Sequence, residues 1–205
     1  MEQQRNPFIT WAVDIGERLF LVLLAMPFLW AFVRVMPLHP TIVLLMISES
    51  IGLGLILTRR FGEVSLGAVP VFAAFGGTAL PLLVRPNGIP LAPSIVSTGL
   101  MIAGLVLAIA AKLFLNRSFG LIAANRGVKV RGPYRLVRHP MYAGYMINQV
   151  GFLLMSFSMA NLLLYLAAWS FQLVRVHEEE RILSADRDYQ QLSSRVPARL
   201  LPGIY

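Results

Sequence analysis

The sequence predicts an all-α polytopic membrane bundle of four spans, a C-terminal transmembrane helical hairpin and a C-terminal segment beyond it. Three observations carry that expectation. Of the 205 residues 57% are hydrophobic and only 14% charged, and the mean hydropathy is +0.67, a balance that does not describe a soluble globule. The apolar residues fall in runs approaching the ~20 residues that a helix needs to cross a hydrocarbon core of about 30 Å. Prolines, glycines and basic residues collect where the runs end, as breakers and interfacial charges should.

The expected spans are Leu19 to Met36, Thr41 to Leu57, Val64 to Val84 and Ser94 to Leu115. A mixed-charge segment with Glu2, Arg5, Asp14, Glu17 and Arg18 precedes the first, and no small-residue cleavage pattern follows it, so it reads as a retained anchor. Pro37, His39 and Pro40, then Arg59 and Arg60, then the run from Arg85 to Pro90 mark the turns. Two shorter apolar stretches, Tyr142 to Phe157 and Asn161 to Val176, are separated by Ser158, Met159 and Ala160 and suit a tight helical hairpin. The glycines inside the spans (Gly52, Gly54, Gly76, Gly77, Gly99, Gly104) read as close-packing positions. Gly52 and Gly54 lack the third glycine and the preceding strand of a dinucleotide fingerprint.

Six helical segments place both termini on one side, and the charges agree. Sixteen of the 18 Lys and Arg residues then share the side of the termini, with only Arg34 and Arg85 opposite. The positive-inside bias puts both termini and the loop before the hairpin in the cytoplasm. A net charge of +8 suits nucleic acid as well, but basic residues confined to span ends are explained by topology and anionic membrane lipids, so no nucleic-acid partner is expected. With no cysteine, disulfides, thiolate metal sites and a cysteine nucleophile are excluded. His39, His139 and His177 sit in different segments without HExxH spacing, so no metal is expected either, and no GxSxG elbow appears.

Two stretches are too elaborate for ordinary membrane loops. In Arg131 to Tyr145, His139 before Pro140 is biased to an extended backbone while Pro140 fits a first helical turn, so a fixed helix start is expected there. Free N–H groups and the dipole at that start favour an anion such as a ligand carboxylate. Tyr142 offers a hydrogen bond to a polar ligand and Gly144 close approach to backbone, whereas His139 alone would read as structural. The second stretch, from Arg175 to Leu183, carries three successive glutamates that would oppose the dipole at a helix end, so the helix should run to Leu183 or beyond. Glu179 and Leu183 share a face. One further acid, Glu49, falls inside a span, where a carboxylate is either locally paired or functional.

The order Gly132-Pro133-Tyr134, then Arg138-His139-Pro140-Met141-Tyr142-Ala143-Gly144, an apolar hairpin, Glu179-Glu180-Arg181-Ile182-Leu183 and a tail with Arg199-Leu200-Leu201-Pro202 resembles the integral membrane methyltransferases of the isoprenylcysteine carboxyl methyltransferase type, related to phospholipid N-methyltransferases. The resemblance covers Asn116 onward and divides the chain into N-terminal helices (1–115) and a methyltransferase core (116–205). It implies S-adenosylmethionine as cofactor and a lipid-like or prenylated acceptor entering from the bilayer. The implied cofactor-binding residues are Tyr134, Arg138, His139, Pro140, Tyr142, Gly144, Glu180 and Leu183. Arg138 and His139 would take the donor carboxylate, and Glu179 or Glu180 the ammonium. Glu179 and Arg199 are the catalytic candidates. An amine acceptor would need Glu179 as base, and a carboxylate acceptor would need Arg199 to orient it. Two alternatives stand beside this: a small proton-coupled transporter using Glu49, and a sterol-reductase-like enzyme sharing a similar C-terminal half.

Overall fold

The computed structural model describes residues 7–34, 40–60, 63–64 and 67–203; Glu2, Arg5, Met36, Pro37 and His39 lie outside them. Among the described residues the helices are α1 (Pro7–Arg34), α2 (Pro40–Thr58), α3 (Ala68–Ala79), α4 (Ser94–Leu115), α5 (Pro140–Met155), α6 (Met159–Leu183) and α7 (Arg187–Arg195). A two-residue antiparallel ribbon pairs β1 (Glu63–Val64) with β2 (Ala124–Asn125). The fold is an all-α membrane bundle, and α2, α4 with its short extension, and α6 are long and apolar enough to cross a bilayer. Large apolar side chains such as Leu23, Phe72 and Ile95 stand on the outside, each at least 70% exposed, while alanine, glycine and polar residues fill much of the interior. That inversion is what lipid contact requires, because lipid tails are as apolar as leucine.

The third expected span is shorter than its hydropathy indicated. Glu63 and Val64 pair as strand, and after α3 the chain tightens into a 3-10 turn at Leu80–Leu83 with Pro81 in its first positions, since proline has no N–H to continue the α ladder. The first helix begins at Pro7 rather than Leu19, so Asp14, Glu17 and Arg18 lie within it.

The hairpin is also not the tight pair expected. Its connection is short, but α5 packs mainly on α4 rather than on α6. Glycines make that contact: a Cβ on Gly104 would lie 2.4 Å from the amide nitrogen of Asn148, and one on Gly144 2.6 Å from the Gly104 carbonyl. Gly144 is therefore committed to helix packing. Gly76 and Gly77 receive Phe171 of α6, whereas a Cβ on Gly54 or Gly99 would meet nothing within 4 Å among the described residues. The hairpin tip is held by the segment after α3. Ile89 and Phe157 exchange backbone hydrogen bonds of 2.9 and 2.8 Å, and the Asn161 side chain accepts from the Arg85 amide and donates to its carbonyl.

Candidate functional site

The site is assembled at the end of the bundle opposite that tip. Pro140 opens α5 as expected, but His139 before it is not extended: its φ of −127° and ψ of 59° leave the helical region without reaching the β region. The amides of Arg138 and His139 donate to the carbonyls of Ala198 and Arg199 at 3.0 and 2.9 Å, which stitches the C-terminal tail to the start of α5. Between α5 and α6 the glutamates meet the basic groups. His139 Nε2 lies 3.2 Å from Glu180 and its Nδ1 3.6 Å from Glu179. Arg138 Nη1 is 3.1 Å, and Arg199 Nε 2.7 Å, from Glu180. The Tyr142 hydroxyl donates to Glu179, and the Arg175 guanidinium lies 5.0 Å from the centre of the Tyr142 ring.

A cavity of about 80 Å³ opens beside this network into a concavity of about 710 Å³, solvent at its mouth included. Of the residues expected from sequence, Tyr134, Arg138, His139, Tyr142, Glu179 and Leu183 line it. Glu180 and Arg199 line an adjoining surface concavity, with Arg138 spanning both. Pro140 and Gly144 line neither: Pro140 sets the backbone at the helix start, and Gly144 faces α4. Tyr189 and Leu192 of α7 cover the cavity, and the N-terminus of α7 is fixed by Asp186, which accepts from Asp188 and from Asn125 at 2.9 and 3.0 Å.

Several wall residues were not legible as site residues, notably Ser118, Gly120, Ile122 and Arg126. The basic loop that carries them was expected to touch lipid headgroups. Instead Phe119, Leu121, Ile122, Ala123 and Arg126 are buried, and Lys112 is an interior α4 residue whose ammonium bonds the Ser48 carbonyl and hydroxyl and Glu49 at 2.8, 2.9 and 3.2 Å. Glu49 is thus a paired carboxylate, not a lone acid. Among the described residues no group of three or more His, Asp or Glu is placed to hold a metal.

Burial would push the His139 imidazole down, but hydrogen bonding and charge from Glu179 and Glu180 outweigh it and raise its pKa above the ordinary 6.5. A histidine raised in the folded state stabilises it fully below about pH 6.5 and loses that contribution as pH climbs through the higher folded value. The thermal midpoint of the wild type should therefore decline as pH rises above about 6.5, and His139→Gln should flatten the slope; parallel pH profiles of the midpoint for the two proteins would contradict it.

Residues 98–185 match the isoprenylcysteine carboxyl methyltransferase (ICMT) family. The matched stretch runs from within α4 to just past α6 and so contains the basic loop, the start of α5 and the glutamates. It begins earlier than Asn116, where the motifs start, and leaves α7 and Arg199 outside. No curated protein matches the chain. That stretch is thus similar to a family of carboxyl methyltransferases, and the long apolar helices beside it are those of a membrane protein.

Proposed function

We propose that the protein transfers a methyl group from S-adenosylmethionine to a lipid-like or prenylated acceptor at the membrane face that bears both termini, the cytoplasmic one. The observation that supports this most is that the ICMT-matched stretch supplies walls of both charge signs, Arg126 and Arg138 against Glu179, to one partly covered cavity. An amino-acid moiety needs such a pair. S-adenosylmethionine, when bound, supplies a methyl group on a sulfonium.

The chain's own part is positioning and exclusion of water, for which effective molarity supplies about 7–11 kcal/mol. In this scheme Tyr134, Arg138, His139, Tyr142, Glu180 and Leu183 shape the donor site, and Pro140 and Gly144 hold α5 in place for it. Glu179 takes a proton from an amine acceptor, or Arg199 orients a carboxylate one. The pairing of Glu49 with Lys112 removes the lone intramembrane acid on which a transporter would depend, and the ICMT match gives a nicotinamide-dependent reductase no support.

The test is transfer of radiolabelled methyl from S-adenosylmethionine to total membrane extract and to a prenylated cysteine, with the labelled product then identified. Monodisperse protein that neither labels any acceptor nor binds S-adenosylhomocysteine would overturn the proposal.

A further inference from the structure

Arg126 sits in the loop between α4 and α5, 7% exposed, in the wall of the cavity. Its Nη1 donates to the Ile122 carbonyl at 3.3 Å, while Nε and Nη2 are buried with no partner. A buried guanidinium with two donor nitrogens unmet is costly unless something else satisfies them. No acid of its own loop can, because the stretch from Asn116 to His139 has none, and Glu17, Asp14 and Glu179 on other elements act on it through space without hydrogen-bonding it. Burial first, then repulsion from Arg59, lowers the pKa of Arg126, so the folded protein carries this cation against a penalty.

The other buried or part-buried cations have more partners, although the Nε of Arg138 and of Arg175 is also unmet. Arg59 holds Asp14 and Glu17, Lys112 holds Ser48 and Glu49, Arg138 holds Glu180 and the Pro197 carbonyl, and Arg175 holds the Leu121 carbonyl. Space at Arg126 has been kept deliberately small on one side: a Cβ on Gly120 would lie 2.3 Å from Nη1. Across the same cavity stands Glu179.

We infer that Arg126 is an anion-binding residue of the cavity and receives the carboxylate of the methyl donor, with Glu179 opposite for the donor's ammonium. The assignment rests on the methyl-transfer function proposed above. It moves the carboxylate away from His139, whose nitrogens face Glu179 and Glu180, and from Arg138, which keeps only Nε unmet. A planar guanidinium with two adjacent free N–H directions matches a carboxylate in a way that an ammonium does not.

The experiment is calorimetric titration of the full chain in detergent or nanodiscs, for wild type, Arg126→Gln and Arg126→Lys, with two ligands. S-adenosylhomocysteine carries the amino-acid carboxylate, and 5′-methylthioadenosine lacks it. Arg126→Gln should weaken S-adenosylhomocysteine at least about tenfold and leave methylthioadenosine within about twofold, with Arg126→Lys between. The ligand-free variant should unfold at the wild-type temperature or above, because a residue kept only for structure would lower it.

Unchanged S-adenosylhomocysteine affinity in Arg126→Gln overturns the assignment, as does equal loss of both ligands. So does selective loss of binding to a prenylcysteine carboxylate relative to its methyl ester, which would give Arg126 to the acceptor. Failure of the wild type to bind S-adenosylhomocysteine is a separate result that overturns the methyl-transfer function and this assignment with it.

Discussion

Glu179→Gln should reduce methyl transfer at least about 100-fold in a protein that still folds. Removing one partner of a buried, hydrogen-bonded charge pair costs about 2–5 kcal/mol, which is about 30-fold to several thousandfold in affinity or rate. Glu179 is a part-buried case: it accepts from Tyr142, lies 3.6 Å from His139 Nδ1 and lines the cavity with its side chain 20% exposed. Glutamine keeps an oxygen for Tyr142 and removes only the charge, so folding is spared and the His139 imidazolium retains Glu180. The kinetics then separate the two roles proposed for this carboxylate. For an amine acceptor the loss should appear in kcat and its pH profile, as for a missing base. For a carboxylate acceptor it should appear as weaker donor binding, and Arg199→Ala, which releases Glu180 from its 2.7 Å contact, should raise the acceptor KM. Glu179→Gln with wild-type turnover and wild-type donor affinity would remove Glu179 from the site.

The helices were largely legible because hydropathy and breakers act locally. Thr41 to Leu57 and Ser94 to Leu115 correspond closely to α2 and α4, and α6 runs through the three glutamates to Leu183 as their conflict with the dipole required. The site was legible in part for the same reason, since proline before a helix fixes His139 and the glutamates follow on one rigid element. What sequence could not show is where isolated charges go. Lys112 meets Ser48 and Glu49 from another helix, and Arg59 reaches back to Asp14 and Glu17 on α1. A charge at a span end looks alike whether it snorkels to lipid or is neutralised inside the bundle, because the partner is chosen by tertiary packing. Arg126 was hidden differently: it lines a cavity whose walls come from the loop, α6 and α7 together, which no local pattern of the sequence shows.

Glu17→Gln should destabilise the bundle by about 3–5 kcal/mol, the usual cost of stranding a buried charge, and should weaken donor binding although Glu17 lies far outside the ICMT-matched stretch. The Glu17 residue is 0% exposed, as is the Arg59 side chain. One Glu17 oxygen accepts from Arg59 and from the amides of Leu121 and Ile122. Asp14 accepts from Arg59 Nε at 3.0 Å and from Arg18 Nε at 2.8 Å, so the cluster joins α1 and the end of α2 to the loop. That loop is the cavity wall through Gly120, Ile122 and Arg126. Removing the Glu17 charge leaves Arg59 half-compensated and weakens the acceptor that holds two loop amides. Hydrogen exchange at Leu121 and Ile122 should therefore rise more than exchange in the α4–α5 contact, which glycine packing maintains independently. The double change Glu17→Gln with Arg59→Met should cost less than the sum of the single changes, because it removes the stranded charge as well as its partner. Additive losses, or unchanged exchange at Leu121 and Ile122, would mean that the N-terminal helices anchor the chain without shaping the cavity.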